Sequence, residues 1–174
     1  MFPYVAGVRR GQEGNPLWRP VTQGSGRVDN PERYLVLYAA DSAVGAIQER
    51  YARYPAWSEA MLASPTLPGA RSSLAEFEAD MDVLDLDDPR ALSRRSLRPS
   101  RVVTRDRSVT QGWALDVFEE ARWAGVRWWS SLDADRASFG LWSVDGLRVR
   151  SVSQLDPLHP AMLEAAEGLA RRWV

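Results

Sequence analysis

Three residues whose side chains could bind or transform a ligand recur at equal spacing in the first third of the chain. Arg27 lies in a glycine-rich turn, Tyr38 follows 11 residues later at the end of an apolar run, and Glu49 follows after 11 more. A guanidinium can hold a phosphate through two hydrogen bonds, and a tyrosine offers a stacking face and a hydroxyl. A surface turn, a core tyrosine and a solvated carboxylate are the alternatives that the pattern leaves open.

A second candidate segment is GVRWWSS, residues 125–131. Strand alternation places Trp128 and Ser130 on one face and Trp129 on the other, so both faces are predicted to be covered. Packing is the usual reason for such a pair of tryptophans. Stacking on a nucleobase or nicotinamide ring is the less usual one.

Composition removes many kinds of chemistry. The 174 residues include no cysteine, one histidine (His159) and no lysine, because all 22 basic residues are arginine. Thiolate sites, zinc sites with several imidazoles, phosphate loops of the Walker type and Schiff-base catalysis are therefore excluded. Carboxylates, arginines, hydroxyls and aromatic rings remain.

Charge and hydropathy indicate a cytoplasmic protein. The net charge of -1 argues against binding to nucleic acid or to a membrane surface. The sequence shows no apolar run of the roughly 20 residues that cross a bilayer, and its start lacks the pattern of a signal peptide.

The elements that must position these residues follow from apolar periodicity. Residues 34–40 predict a buried central strand, and Asp41 is predicted to cap a helix that runs to about residue 54 with an apolar stripe. Ser108 is predicted to cap a second long helix to about residue 124, ended by Gly125. Strands are predicted within residues 2–8, 74–86, 126–132, 139–144 and 146–155, and short helices over 57–63, from 88–89 and from Pro160. Because strands and helices alternate without a regular rhythm, an α+β class is favoured.

The segments GRVDNP (26–31), YLVLYAADSAVGAIQE (34–49) and GVRWWSS (125–131), with TQGWA (110–114) between them, resemble the motifs of the RES domain. Proteins of this family are the toxins of Xre–RES toxin–antitoxin modules. The resemblance runs from about residue 20 to the C-terminal helix.

The resemblance implies a single domain over residues 1–174, with mixed and antiparallel sheets and flanking helices, similar to ADP-ribosyltransferase toxins. It implies that NAD is the substrate, held in a cleft between sheets, and that the nicotinamide–ribose bond is cleaved by hydrolysis or phosphorolysis without a metal. The residues carried over are, as catalytic groups, Glu49, Ser130 and Tyr38, and as NAD-binding groups, Arg27, Tyr38 and Trp128.

Two alternative functions remain open. The resemblance also implies transfer of ADP-ribose to a protein, since the acceptor need not leave a motif. The family usually carries a further arginine in its first strand, whereas here the first arginines are Arg9 and Arg10. This departure from the family pattern makes a catalytically weakened binding module the other alternative.

The resemblance also implies partners. A small Xre-like antitoxin is expected to cover a surface beside residues 24–31, and a homodimer is the alternative. The candidate contact residues, chosen by sequence position, are Trp18, Arg19, Arg33 and Trp57.

Overall fold

The computed structural model describes residues 1–174, with nine strands and five α-helices. In chain order these are β1 (Phe2–Tyr4), β2 (Leu37–Ala40), α1 (Ala43–Tyr51), β3 (Ala56–Trp57), β4 (Arg71–Ala79), β5 (Val83–Asp85), α2 (Pro89–Arg94), α3 (Pro99–Val102), α4 (Arg107–Glu119), β6 (Gly125–Trp129), β7 (Ala137–Leu141), β8 (Leu147–Gln154), α5 (Pro160–Gly168) and β9 (Arg172–Trp173). A 3₁₀-helix spans Glu59–Leu62.

The chain forms two compact units. The first unit comprises Met1–Trp18, Asp41–Glu78 and Arg148–Val174, and the second comprises Arg19–Ala40 and Ala79–Leu147. Arg27, Tyr38, Trp128 and Ser130 belong to the second unit, and helix α1, which carries Glu49, belongs to the first.

The second unit contains a four-stranded sheet in the order β2-β7-β6-β5. The strands β2, β7 and β6 pair antiparallel, and β5 pairs parallel with β6. Helix α4 buries Trp113, Ala114 and Val117 in a core that also includes Val28, Trp128 and Trp142. Trp128, one of the predicted site residues, belongs to this core, and so do Val28 and Val36 from the segments that carry Arg27 and Tyr38.

The first unit contains a three-stranded sheet in the order β1-β4-β8 and a two-residue parallel pairing of β3 with β9. Helix α1 packs against α5. Its apolar positions Val44, Ile47 and Tyr51 recur at helical spacing and enter a core with Trp57 and Met162. The predicted apolar stripe of this helix is therefore confirmed at these three positions.

The boundaries of both long helices differ from those predicted. Helix α1 is capped by Ser42 and not Asp41, because the Ser42 side chain accepts the Gly45 N–H. Helix α4 is capped by Asp106 and not Ser108, since the Asp106 carboxylate accepts the Ser108 N–H. It ends at Glu119, before Ala121 at φ 50°, and Gly125 instead begins β6.

One further prediction is wrong: strand β2 lies at an edge of its sheet, although residues 34–40 predicted a central strand. The short helix predicted within residues 57–63 is present as the 3₁₀-helix Glu59–Leu62, preceded by the end of β3. The other predicted strands and the helices beginning at Pro89 and Pro160 are present, and the α+β class is confirmed. None of the helices has the length and apolar character needed to cross a bilayer.

Candidate functional site

Loop 24–30, the segment that carries Arg27, is organised around one buried carboxylate. Asp29 is only 4% exposed. Its Oδ2 accepts the N–H groups of Gly24 and Gly26 at 2.8 and 2.6 Å, and its Oδ1 accepts the Tyr38 hydroxyl at 2.6 Å. A buried carboxylate is tolerated when its oxygens are hydrogen-bonded in this way. Asp29 therefore connects the loop to Tyr38 in strand β2.

The Tyr38 hydroxyl is occupied on both sides. It donates to Asp29 and accepts the Val28 N–H at 3.1 Å. Burial, and then the hydrogen bond to Asp29, raise the pKa of Tyr38 well above its ordinary value, so the phenol stays protonated. The residue is nevertheless 39% exposed, so part of its ring reaches solvent.

Gly26 permits the close approach of these groups. A Cβ atom at this position would meet the Tyr38 hydroxyl oxygen, and it would lie 2.6 Å from Asp29 Oδ1. No side chain fits there without displacing the network. Close packing against Tyr38 and Asp29 therefore requires glycine at this position of the GRVDNP segment.

A second tyrosine completes the network and was not singled out from the sequence. Tyr34 donates its hydroxyl to Val28 O at 3.0 Å and accepts from Asn30 Nδ2 at 2.8 Å. Burial raises the pKa of Tyr34 to about 12. The hydroxyl groups of two protonated tyrosines therefore bond to the backbone of Val28. The near-continuous apolar pattern of residues 34–40 gave no sign of either hydrogen bond.

Arg27 contacts backbone carbonyls in the structure. Its Nη1 donates to Val102 O at 2.8 Å and to Thr104 O at 2.9 Å. Part of the guanidinium thus holds the last residue of α3 and the chain that follows it. Binding of a phosphate by Arg27 stays a prediction.

Two N–H groups of the glycine-rich turn are already used within the protein. Anion-binding loops point successive backbone N–H groups at the ligand. Here the N–H groups of Gly24 and Gly26 point at Asp29. A phosphate bound beside this turn would therefore not be held by these two groups.

Trp128 and Ser130 lie on the same face of the sheet region, as strand alternation predicted, and both are buried. Trp128 belongs to the core, where its ring and Val28 both line the space next to Gly140. Ser130 Oγ accepts the Leu132 N–H at 3.1 Å. The roles of Trp128 in NAD binding and of Ser130 in catalysis stay predictions.

Glu49 lies on the exposed side of α1, away from the apolar stripe. The small residue Gly45 and the neighbouring Gln48 are buried. Gln48 lies next to Gly168, and its Oε1 has no hydrogen-bond partner. The expectation that Glu49 projects opposite the apolar stripe is therefore met, and its catalytic role stays a prediction.

The structure also bears on the residues expected to contact a partner protein and on the arginines near the first strand. Trp57 is fully buried, so it is wrong as a contact for a partner protein. Arg19 donates to the carbonyls of Leu35 and Trp142, whereas Arg33 is exposed and pairs with Glu119 at 3.1 Å. Strand β1 contains no arginine, and Arg9 and Arg10 follow it in exposed positions.

Comparison with known proteins agrees with the motifs. The sequence profile of the RES domain matches residues 5–161, so the chain belongs to the RES domain family. The fold is similar to a chain in the crystal structure of the M. tuberculosis MbcT–MbcA toxin–antitoxin complex, with a TM-score of 0.57 and 22% sequence identity. That similarity covers 83% of this chain and 76% of the other. No curated protein matches the sequence.

Proposed function

We propose that this protein is a RES toxin that cleaves the nicotinamide–ribose bond of NAD. The observation that carries the proposal is the RES match over residues 5–161, because it spans every residue singled out from the sequence. Those residues are Arg27, Tyr38, Glu49, Trp128 and Ser130. The similar solved structure is of a toxin–antitoxin complex, which supports the toxin class.

The reaction breaks the glycosidic bond between ribose C1′ and the pyridinium nitrogen. The bonding electron pair goes to the nitrogen, neutral nicotinamide leaves, and the ribose takes on positive charge. Water or phosphate then adds to C1′ and gives up a proton. A fixed carboxylate stabilises such a sugar cation, and this is the role assigned to Glu49.

The residues of the second unit are assigned to binding and orientation. Because Asp29 and the Val28 N–H occupy the Tyr38 hydroxyl, the exposed ring is the part of Tyr38 that would stack on nicotinamide. Arg27 would bind the diphosphate, Trp128 would support the base-binding surface, and Ser130 would hydrogen-bond the ribose or amide. This assignment makes Tyr38 a catalytic residue through its position against the leaving group.

The remaining expectations form part of the same proposal. The protein acts in the cytoplasm as one RES domain over residues 1–174, uses NAD as substrate without a metal, and is restrained by an Xre-like antitoxin. The antitoxin partner is supported by the similar solved structure, in which a toxin and an antitoxin form a complex. A homodimer is the alternative to this antitoxin complex, whether NAD is cleaved by hydrolysis or by phosphorolysis.

A second candidate function follows from the first strand. Strand β1 reads Phe2-Pro3-Tyr4 and lacks the arginine that the family pattern places there. Loss of one phosphate contact favours a weakened NAD-binding module. Transfer of ADP-ribose to a protein is the third possibility, since an acceptor protein leaves no motif.

Incubation of the purified protein with NAD, with and without phosphate, tests these functions. Chromatography should show nicotinamide release, with ADP-ribose as the product of hydrolysis and ADP-ribose 1″-phosphate as the product of phosphorolysis. Release that occurs only with added bacterial protein would indicate ADP-ribosyl transfer. Binding of NAD without release under any condition would favour the weakened module, and neither binding nor release would refute the proposal.

A further inference from the structure

The carbonyl groups of the turn 24–26 are all held by two side chains of helix α4. Gln111 Nε2 donates to Gly24 O at 2.9 Å and to Gly26 O at 3.0 Å. Arg107 Nε donates to Ser25 O at 3.2 Å. Residues 107 and 111 are four apart, so they lie on one face of the helix. Three consecutive carbonyls thus accept hydrogen bonds from side chains of the first turns of α4, and Gly26 O also accepts the Asp29 N–H at 3.4 Å.

Gln111 is also bonded through its backbone. Its carbonyl accepts Asn30 Nδ2 at 3.1 Å, so this one residue contacts both ends of loop 24–30. On the opposite side of the turn, Asp29 accepts the N–H groups of Gly24 and Gly26. Both polar ends of these glycines are therefore fixed by side chains, although the turn belongs to no helix or sheet.

The choice of side chain fits this task. A glutamine amide has two N–H donors on one nitrogen, which can serve two carbonyls. A methionine of similar length would supply none, and a glutamate would place acceptors against acceptors. Gln111 lies within the TQGWA segment, to which the proposed reaction assigns no role.

We propose that Gln111 is a positioning residue that fixes the turn 24–26, and with it Arg27, in the conformation that binds NAD. This inference rests on the proposed NAD-cleaving function. Gln111 acts through the two glycine carbonyls and does not touch the substrate. Freeing the turn allows Arg27 to move relative to the NAD phosphates, and misplacement of a binding group by about 1 Å can cost up to about a hundredfold in rate.

The test compares four variants of the full chain. Gln111→Met removes the donors at similar length, and Gln111→Asn retracts the amide by one methylene so that it no longer reaches both carbonyls. Gln111→Lys restores N–H donors on a long side chain. Asp116→Ala is the control, because Asp116 is exposed on the same helix.

Two measurements are made on each variant: hydrogen exchange of the Gly24 and Gly26 amides, and steady-state cleavage of NAD. Gln111→Met and Gln111→Asn should accelerate exchange at these amides and lower kcat/KM by about tenfold, chiefly through KM. Gln111→Lys should recover most of the loss. Asp116→Ala should match the wild type in both measurements.

The outcomes distinguish failure of the positioning role of Gln111 from failure of the proposed NAD-cleaving function. Faster exchange in Gln111→Met with unchanged KM and kcat overturns the positioning role and leaves the NAD-cleaving function standing. Equal losses of kcat/KM in Gln111→Lys and Gln111→Met overturn the inference that a hydrogen-bond donor is required at position 111. Unchanged exchange in both Gln111→Met and Gln111→Asn shows that the turn does not depend on Gln111. A wild-type protein that neither binds nor cleaves NAD refutes the proposed function and this inference together.

Discussion

Loop 24–30 of the second unit and helix α1 of the first unit each carry a residue that we propose to act on NAD. In the loop, the side chains of Asp29, Tyr38 and Gln111 hydrogen-bond to backbone N–H and carbonyl groups on either side of Arg27. In the helix, apolar burial of Val44, Ile47 and Tyr51 fixes the backbone, and Glu49 projects from the other side.

The two designs respond differently to substitution. A helix fixed by buried apolar residues tolerates changes on its exposed face, which are usually worth less than about 0.5 kcal/mol of stability. A loop fixed by a hydrogen-bond network loses several contacts when one member changes. Function and stability should therefore separate cleanly at Glu49 and remain linked in loop 24–30.

The largest expected effect is on turnover at Glu49. Glu49→Gln removes the negative charge that would face the ribose cation, and it should lower kcat by about a hundredfold or more, the range seen for removing an electrostatic stabiliser. The midpoint of thermal unfolding should stay within a few degrees of the wild type. Glu167→Gln, an exposed position on α5, is the matched control. Full activity in Glu49→Gln would show that Glu49 is a solvated side chain without a catalytic role.

In the loop, Gly26→Ala should destabilise the fold. Its Cβ would meet the Tyr38 hydroxyl oxygen and the Asp29 carboxylate, and such overpacking typically costs about 1–3 kcal/mol. Gly112→Ala on α4 is the control because nothing lies within 4 Å of its Cβ, and it should stabilise by up to about 1 kcal/mol. Urea denaturation measures both, and equal stability of the two variants would contradict a tightly packed loop.

The two tyrosines that bond to loop 24–30 should make the protein less stable in alkaline solution. The pKa of Tyr34 rises from 10.0 to about 12 in the folded protein, and burial raises the pKa of Tyr38 as well. The unfolded chain therefore releases protons that the folded chain retains, so the free energy of unfolding falls as the pH rises above 10. For Tyr34 this loss extends to about pH 12. Denaturation across this range should show a shallower pH dependence in Tyr34→Phe and Tyr38→Phe, and an unchanged slope in both would refute the assignment.

The smallest expected effect lies at Gln48 in helix α1. Its buried Oε1 has no hydrogen-bond partner, which costs part of the desolvation free energy of that group. Gln48→Met keeps the volume and should raise the free energy of unfolding by about 1 kcal/mol. A stability gain with unchanged turnover would confirm that α1 is held by apolar packing. Loss of stability would show that the amide has a partner in solution.

Local patterns in the sequence were sufficient for several features. The apolar stripe of α1 follows from a spacing that the helix itself imposes, and the strand alternation of Trp128 and Ser130 follows from the pleat. The spaced arginine, tyrosine and glutamate with their flanking segments pointed to the RES family, and the match over residues 5–161 confirms it. Helix caps were less certain, since Asp41 and Ser42 are adjacent and both are good capping residues.

Other features depended on residues that are distant in the chain. Strand β2 is an edge strand because its only sheet neighbour is β7, and Gln111 reaches the glycine carbonyls from more than 80 positions away. No periodicity marks Asp29 as buried, since a carboxylate between Gly26 and Asn30 has the composition of a surface turn. Composition and local spacing therefore determined which chemical groups and which helices this protein has. Tertiary structure alone decided which polar groups satisfy one another, because a buried hydrogen bond requires a partner that only folding brings within reach.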